Sequence, residues 1–156
     1  MTSATHTIEM TLLILQALQV AFLLIHDWIP LGRLNDVAAV RREDTRTRLI
    51  VVTLVQTLPF AIGLFFSARY LSRYWPGWLD WWLGISYGLL FAGQLRAWWV
   101  PYLLSPDPKR AERYARMFGN THSFLPKRNG MVPNTAHILL HLSTLATLFI
   151  LLIGRF

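Results

Sequence analysis

Four long apolar segments separated by polar stretches form the main pattern along this chain. They cover residues 11–29, 49–70, 78–103 and 133–153. Each is close to or longer than the ~20 residues that a helix needs to cross the hydrocarbon core of a bilayer. The pattern therefore predicts an all-α integral membrane protein, a four-transmembrane-helix bundle that forms one domain over residues 1–156.

The two longer loops, residues 30–48 and 104–132, contain signals for short helices. In loop 1, Asn35 or Asp36 can act as an N-cap. In loop 3, Asp107 is a good N-cap because a proline follows at the first helical position. The apolar residues after it recur at i, i+3, i+4 and i+7, so we expect an amphipathic helix on the membrane surface. Both loops are thus expected to carry short amphipathic cytoplasmic helices.

Composition agrees with a membrane protein and excludes several kinds of site. The chain is 54% hydrophobic and only 15% charged, whereas a soluble domain carries about 25% charged residues. It has no cysteine, which excludes disulfides, thiolate metal ligands and cysteine nucleophiles. The formal net charge is +7, but the basic residues flank apolar segments. We therefore expect them to contact membrane lipids and expect no nucleic-acid binding.

The distribution of Lys and Arg predicts the orientation. Loops 1 and 3 together carry eleven of these residues, whereas the opposite side carries three, Arg69, Arg73 and Arg155. By the positive-inside rule, both loops are cytoplasmic and both termini lie outside. The first apolar segment lacks the basic start and the cleavage site of a signal peptide, so it should remain as an anchor. We expect a bacterial-type inner (plasma) membrane protein, N-out and C-out.

Polar side chains inside the apolar segments concentrate towards the cytoplasmic ends of the predicted helices. Such side chains are costly in a membrane and commonly mark functional sites. Their spacings of three or four residues place them on one helical face. We expect the following residues to line one pocket that opens to the cytoplasm: His26, Asp27, Gln56, Gln94, Trp98, Asn134, His137 and His141. The glutamines could equally serve as hydrogen-bonding contacts between helices.

Residues 120–141 form a polar loop that runs into the fourth apolar segment and holds three of the five histidines. We expect this loop to cover the pocket and to bring His122 to its rim. Arg128 would bind lipid headgroups or the ligand itself, since guanidinium groups pair well with phosphates.

The histidines are compatible with three kinds of chemistry. His137 and His141 are four residues apart, which puts two imidazoles on one helical face, and His26 could complete a site for zinc, manganese or non-haem iron. His26 and Asp27 could also act as acid and base without a metal. Histidines on facing helices suit haem b as well. The cofactor stays open between a divalent metal, which is preferred, and haem b.

These observations predict a small polytopic membrane protein whose pocket binds a small molecule or a lipid headgroup, with a metal-dependent membrane enzyme as one form of this hypothesis. The runner-up is an oligomeric transporter of small solutes or ions. Four helices are few for a transport path, so that function would require a homo-oligomer. A haem-binding or accessory subunit of a membrane complex is the third alternative.

Overall fold

The computed structural model describes residues 3–154, so Arg155 lies outside the described part of the chain. It is all-helical, as predicted, and no strand occurs within residues 3–154. The helices are α1 (Ser3–Ile25), α2 (Val37–Glu43), α3 (Arg46–Arg69), α4 (Gly77–Gln94), α5 (Val100–Leu103), α6 (Pro108–Phe118) and α7 (Thr135–Ile153). A short 3-10 turn covers Gly32–Leu34, and a π-helical turn covers Leu95–Trp99.

Three of the described helices are long and apolar enough to cross a membrane: Thr5–Ile25, Arg46–Arg69 and Thr135–Ile153. This agrees with an integral membrane protein. α1 begins earlier than the predicted segment 11–29 and ends at Ile25, because its polar first residues continue the helix before the apolar run starts. α1 packs against α3 and α7, and α4 packs against the same two helices. α1 and α4 therefore lie on opposite sides of the core.

The third apolar segment is helical throughout, but its hydrogen-bond pattern changes near one end. α4 passes through the π-helical turn Leu95–Trp99 into α5. Pro101 has no N–H, so it cannot donate to the carbonyl of Ala97 four residues earlier. Arg110 on α6 compensates, since its guanidinium donates to the carbonyls of Arg96 at 2.7 Å and Ala97 at 3.2 Å. The irregular end of this segment thereby fixes α6 beside it.

The end of the molecule that carries α2, α6 and the loop 119–134 is named the basic face, and the opposite end, with the turn 70–76, is named the terminal face. At the basic face, α2 packs against α6. Arg116 on α6 donates to both carboxylate oxygens of Glu43, at 2.7 and 3.1 Å. Asp36 caps α2 by accepting from the backbone N–H of Ala39. These contacts hold the two short helices across the ends of the long ones.

The loop 119–134 is fastened to three parts of the fold. The backbone N–H of His122 donates to the carbonyl of Arg33 at 2.7 Å, and the His122 carbonyl accepts from Thr135 N–H at 2.9 Å. The Tyr102 hydroxyl donates to the carbonyl of Pro126 at 3.0 Å. The loop is thus an ordered connection between α5, loop 1 and the start of α7.

Candidate functional site

A cavity of about 470 Å³ lies within the basic-face half of the molecule. Its walls come from α1, α3, α4 with the following π-helical turn, and α7, while α2 and α6 contribute side chains at the basic face. Ligand pockets typically measure about 300–1,000 Å³. The cavity is therefore large enough for a small molecule or for a lipid headgroup.

Seven of the residues expected in the pocket line this cavity: His26, Asp27, Gln56, Gln94, Trp98, His137 and His141. The other three, Asn134, His122 and Arg128, do not line it. His122 is exposed, and its Nδ1 atom forms a hydrogen bond of 2.8 Å with the Thr135 hydroxyl. Arg128 is also exposed, and its guanidinium donates to the Leu103 carbonyl at 3.4 Å. Both residues contact the ends of helices outside the cavity.

His26 and Asp27 form a close pair just beyond the end of α1. The Nδ1 atom of His26 lies 3.0 Å from the carbonyl oxygen of Phe22, so it must carry a proton and donate. Its Nε2 atom lies 3.3 Å from an Asp27 carboxylate oxygen. The contact is an ion pair when His26 carries a proton on both ring nitrogens.

Asp27 lies two residues beyond the end of the first span. Burial raises the pKa of its carboxyl, the positive charge that His26 can carry lowers it, and the nearby Asp44 carboxylate raises it again. The net direction is upward from the ordinary value. A carboxyl whose pKa is raised in this way is more easily protonated than a free one and can serve as a proton donor to a ligand.

Asn134 sets the tautomer of His137. The Asn134 side-chain oxygen caps α7 by accepting from the backbone N–H of His137 at 3.0 Å. The same oxygen lies 2.6 Å from His137 Nδ1, so that nitrogen carries the proton and donates. The ring also packs on Trp98, with centroids 4.6 Å apart. Neutral His137 therefore has a lone pair on Nε2 and can accept a hydrogen bond from a ligand.

Trp99 sets the opposite tautomer in His141. The indole N–H of Trp99 donates to Nδ1 of His141 at 3.1 Å. Because an indole N–H can only donate, Nδ1 must be unprotonated, and neutral His141 carries its proton on Nε2. His141 is buried and lines the cavity. One turn apart on α7, the two histidines thus present an acceptor and a donor.

The same hydrogen bonds weaken the case for a metal held by His26, His137 and His141. A histidine that binds a metal through one nitrogen normally donates from the other. His141 accepts at Nδ1, so its Nε2 would have to give up its proton and leave an imidazolate. Within residues 3–154, no group of three or more His, Asp or Glu side chains is arranged to hold a metal ion.

The glutamines separate into two roles. Gln94 donates to the Thr144 hydroxyl at 3.0 Å, and Gln19 donates to the Thr147 hydroxyl at the same distance. Both hydrogen bonds join two helices, so these glutamines serve as the interhelical contacts that the sequence analysis gave as an alternative to a role in the pocket. Gln94 also lines the cavity, whereas Gln56 lines it from an exposed position on α3.

Several residues of the cavity were missed because they come from loops or from helix ends. Asp44 accepts from both Arg48 at 2.9 Å and Arg113 at 2.8 Å, and all three line the cavity. Tyr114 and Phe118 on α6 pack on Trp98, with centroids 4.5 and 5.3 Å apart. The sequence pattern predicts that these residues share one apolar face and that this face lies on the membrane surface. In the structure the same face covers the cavity. Only the contact with Trp98 distinguishes that arrangement from a helix lying on lipid.

Comparison of the chain with protein-family models, with curated proteins and with solved structures gives no match. The function is therefore inferred from the cavity and its lining.

Proposed function

We propose that this protein is a four-helix inner-membrane protein whose basic-face cavity binds a small molecule or a lipid headgroup from the cytoplasmic side. In this proposal the continuous helical segment 77–103 is the fourth span, and both termini lie outside. The excess of Lys and Arg at the basic face supports that orientation.

The observation that carries the proposal is the convergence of ionisable side chains on one cavity at the basic-face ends of the long helices. His26 and Asp27 from one helix end, and His137 and His141 from another, line the same space. Polar groups in such a position are costly unless they are paired or used. Each of the three histidines has one hydrogen bond from a ring nitrogen to the protein, and Asp27 lies 3.3 Å from His26. Each imidazole then has one further nitrogen, and two of these have no protein partner among the described residues.

The chemistry that this arrangement supports is hydrogen bonding and proton exchange. The imidazole of His26 and the carboxyl of Asp27 lie 3.3 Å apart, and each can give a proton to a ligand or take one from it. This is sufficient for general acid–base catalysis on a bound headgroup, and no step requires a metal. Metal-dependent catalysis has less support because of the hydrogen bond that His141 accepts.

Transport has less support than binding. Between the cavity and the terminal face, the core is filled by Leu12, Leu79 and Leu83, which are almost completely buried. These side chains close the core of one subunit on that side. A cavity with access from one side is typical of a binding or catalytic site.

Binding can be tested by native mass spectrometry of the purified protein with a polar lipid extract of bacterial inner membrane. The double variant His137→Phe, His141→Phe keeps two aromatic rings of similar size but removes their nitrogens. We expect it to lose the bound species. The control is His6→Phe, because His6 is exposed on α1 near the terminal face. Equal binding by the double variant and the wild type would contradict the proposed site.

A further inference from the structure

Two guanidinium groups at the mouth of the cavity share one carboxylate. Arg48 and Arg113 both pair with Asp44, and Arg113 contacts both of its oxygens at 2.8 Å. The other lining carboxylate, that of Asp27, lies 3.3 Å from His26. Nearby Arg116 is paired with Glu43 and Glu112. The two guanidinium groups that share Asp44 therefore favour an anionic occupant.

The cavity also reaches the lipid-facing surface between α3 and α4. Gln56 on α3, together with Leu89 and Gly93 on α4, lines the cavity and is exposed on the outside of the helices. Gln56 lies ten residues into α3, which is about 15 Å from its start at ~1.5 Å per residue. That depth is within the hydrocarbon core of a bilayer. The opening is therefore bordered by acyl chains.

The contacts between α3 and α4 lie nearer the terminal face. The indole N–H of Trp82 donates to the carbonyl of Pro59 at 2.9 Å. A Cβ atom at Gly63 would approach Leu83 to 2.6 Å, so the two helices touch closely there. Towards the basic face the cavity lies between them. The pair of helices thus has a closed end and an open end.

Inside the cavity, the two histidines of α7 match a hydroxyl group. A hydroxyl can donate to Nε2 of His137 and accept from the N–H at Nε2 of His141. An ammonium group cannot accept, and a carboxylate cannot donate. The hydrogen bonds from Asn134 and Trp99 fix this preference, because they determine which nitrogen of each ring carries the proton.

We propose that the cavity takes an anionic phospholipid with a hydroxyl-bearing headgroup, whose phosphodiester lies between Arg48 and Arg113 and whose acyl chains leave between α3 and α4. This assignment rests on the proposed function and specifies its ligand class. A phosphodiester is anionic, and guanidinium groups bind phosphate oxygens in pairs. The headgroup hydroxyl lies between His137 and His141.

The first test compares lipids by native mass spectrometry of the full chain in detergent. We expect phosphatidylglycerol to bind about fivefold or more tightly than phosphatidylserine, which has the same net charge but lacks the hydroxyl. Phosphatidylcholine and the water-soluble headgroup glycerophosphoglycerol should bind more weakly still. Equal binding of phosphatidylglycerol and phosphatidylcholine would overturn the assignment. Tight binding of the free headgroup would overturn the role of the opening between α3 and α4.

Gly93→Leu tests the side opening. A Cβ atom at Gly93 meets nothing within 4 Å, so the larger side chain fits the fold but narrows the opening. The control is Gly88→Leu on the same helix, which also meets open space but does not line the cavity. Binding of phosphatidylglycerol should fall at least about fivefold for Gly93→Leu only. Equal losses in the two variants, or none, would contradict lateral access.

Two further substitutions test the two halves of the headgroup. Arg48→Gln should weaken phosphatidylglycerol and phosphatidylserine alike, whereas Arg46→Gln should change neither, because Arg46 is exposed and does not line this cavity. Trp99→Phe should reduce the preference for phosphatidylglycerol over phosphatidylserine without weakening phosphatidylserine. An unchanged preference would overturn the role of the histidine tautomers.

The assignment and the proposed function fail in different ways. If another lipid binds in preference to phosphatidylglycerol, and the double variant His137→Phe, His141→Phe abolishes that binding, the ligand class is wrong and the site stands. If the double variant binds every lipid as the wild type does, both are wrong.

Discussion

Asp44→Asn should affect stability and ligand binding in opposite directions. Breaking a buried ion pair costs about 3–5 kcal/mol, but the Arg113 side chain is 32% exposed, so we reduce the cost of losing its pair with Asp44 to about 2 kcal/mol. The pair with Arg48, whose side chain is 56% exposed, adds only about 0.3 kcal/mol. The sum of about 2 kcal/mol corresponds to a fall in Tm of about 4–8 °C for a chain of this size.

The same substitution removes the carboxylate that Arg48 and Arg113 share, so both guanidinium groups lose this partner at the mouth. Binding of phosphatidylglycerol should therefore become tighter, although the ligand-free protein is less stable. Added salt should reduce this gain, because part of the mouth is exposed to solvent.

Unfolding in detergent can be followed by the fluorescence of the seven tryptophans. The matched control is Glu112→Gln, another acid-to-amide change at the basic face, whose partner Arg116 is largely exposed. We expect its Tm to match that of the wild type within about 1 °C. The reasoning is refuted if Asp44→Asn has an unchanged Tm, or if it weakens binding of the anionic lipid.

Three further predictions concern the supports of the site. Asn134→Ala should lower the free energy of unfolding by about 2 kcal/mol because α7 loses its cap and His137 loses a partner, whereas Asn134→Asp should stay close to the wild type in thermal unfolding. Because the pKa of Asp27 is raised above 3.8 in the folded state, its contribution to stability is full below that value and is lost as the pH rises through the raised pKa. Asp27→Asn should remove this part of the loss of Tm as the pH rises above 3.8, and an unchanged profile would exclude Asp27 as its source. His122→Ala should destabilise the protein by about 1 kcal/mol without changing lipid binding, because the hydrogen bond between His122 and Thr135 lies outside the cavity. A change in lipid binding would mean that His122 does belong to the binding site.

Much of the fold could be predicted because it depends on local properties. Long apolar runs must be helical in a membrane, where every backbone group needs a partner within the chain. The caps Asp36 and Asp107 and their helices follow from the same local rules. The pattern also placed His26, Gln94 and His141 at one depth, since 1.5 Å per residue converts position into depth along a helix, to within about a turn. Helix formation, capping and position along a helix all depend on residues that are close in the sequence.

The remaining features depend on which helices touch and on their rotation about their axes. Asp44 and Arg113 are 69 residues apart, and nothing near either residue indicates that they meet. Residues 120–141 show the same limit: the histidines at the end of this stretch line the cavity, whereas His122 and Arg128 support helix ends outside it.

The sequence by itself determined that the chain is helical, that it can span a membrane, and that polar groups gather at one depth. Only the tertiary structure decided what those groups can do. Whether a histidine donates or accepts depends on a partner from another helix or from a capping residue, as Trp99 and Asn134 show for His141 and His137. The physical reason is that a hydrogen bond is directional and short-ranged, so it depends on positions to within a few tenths of an ångström.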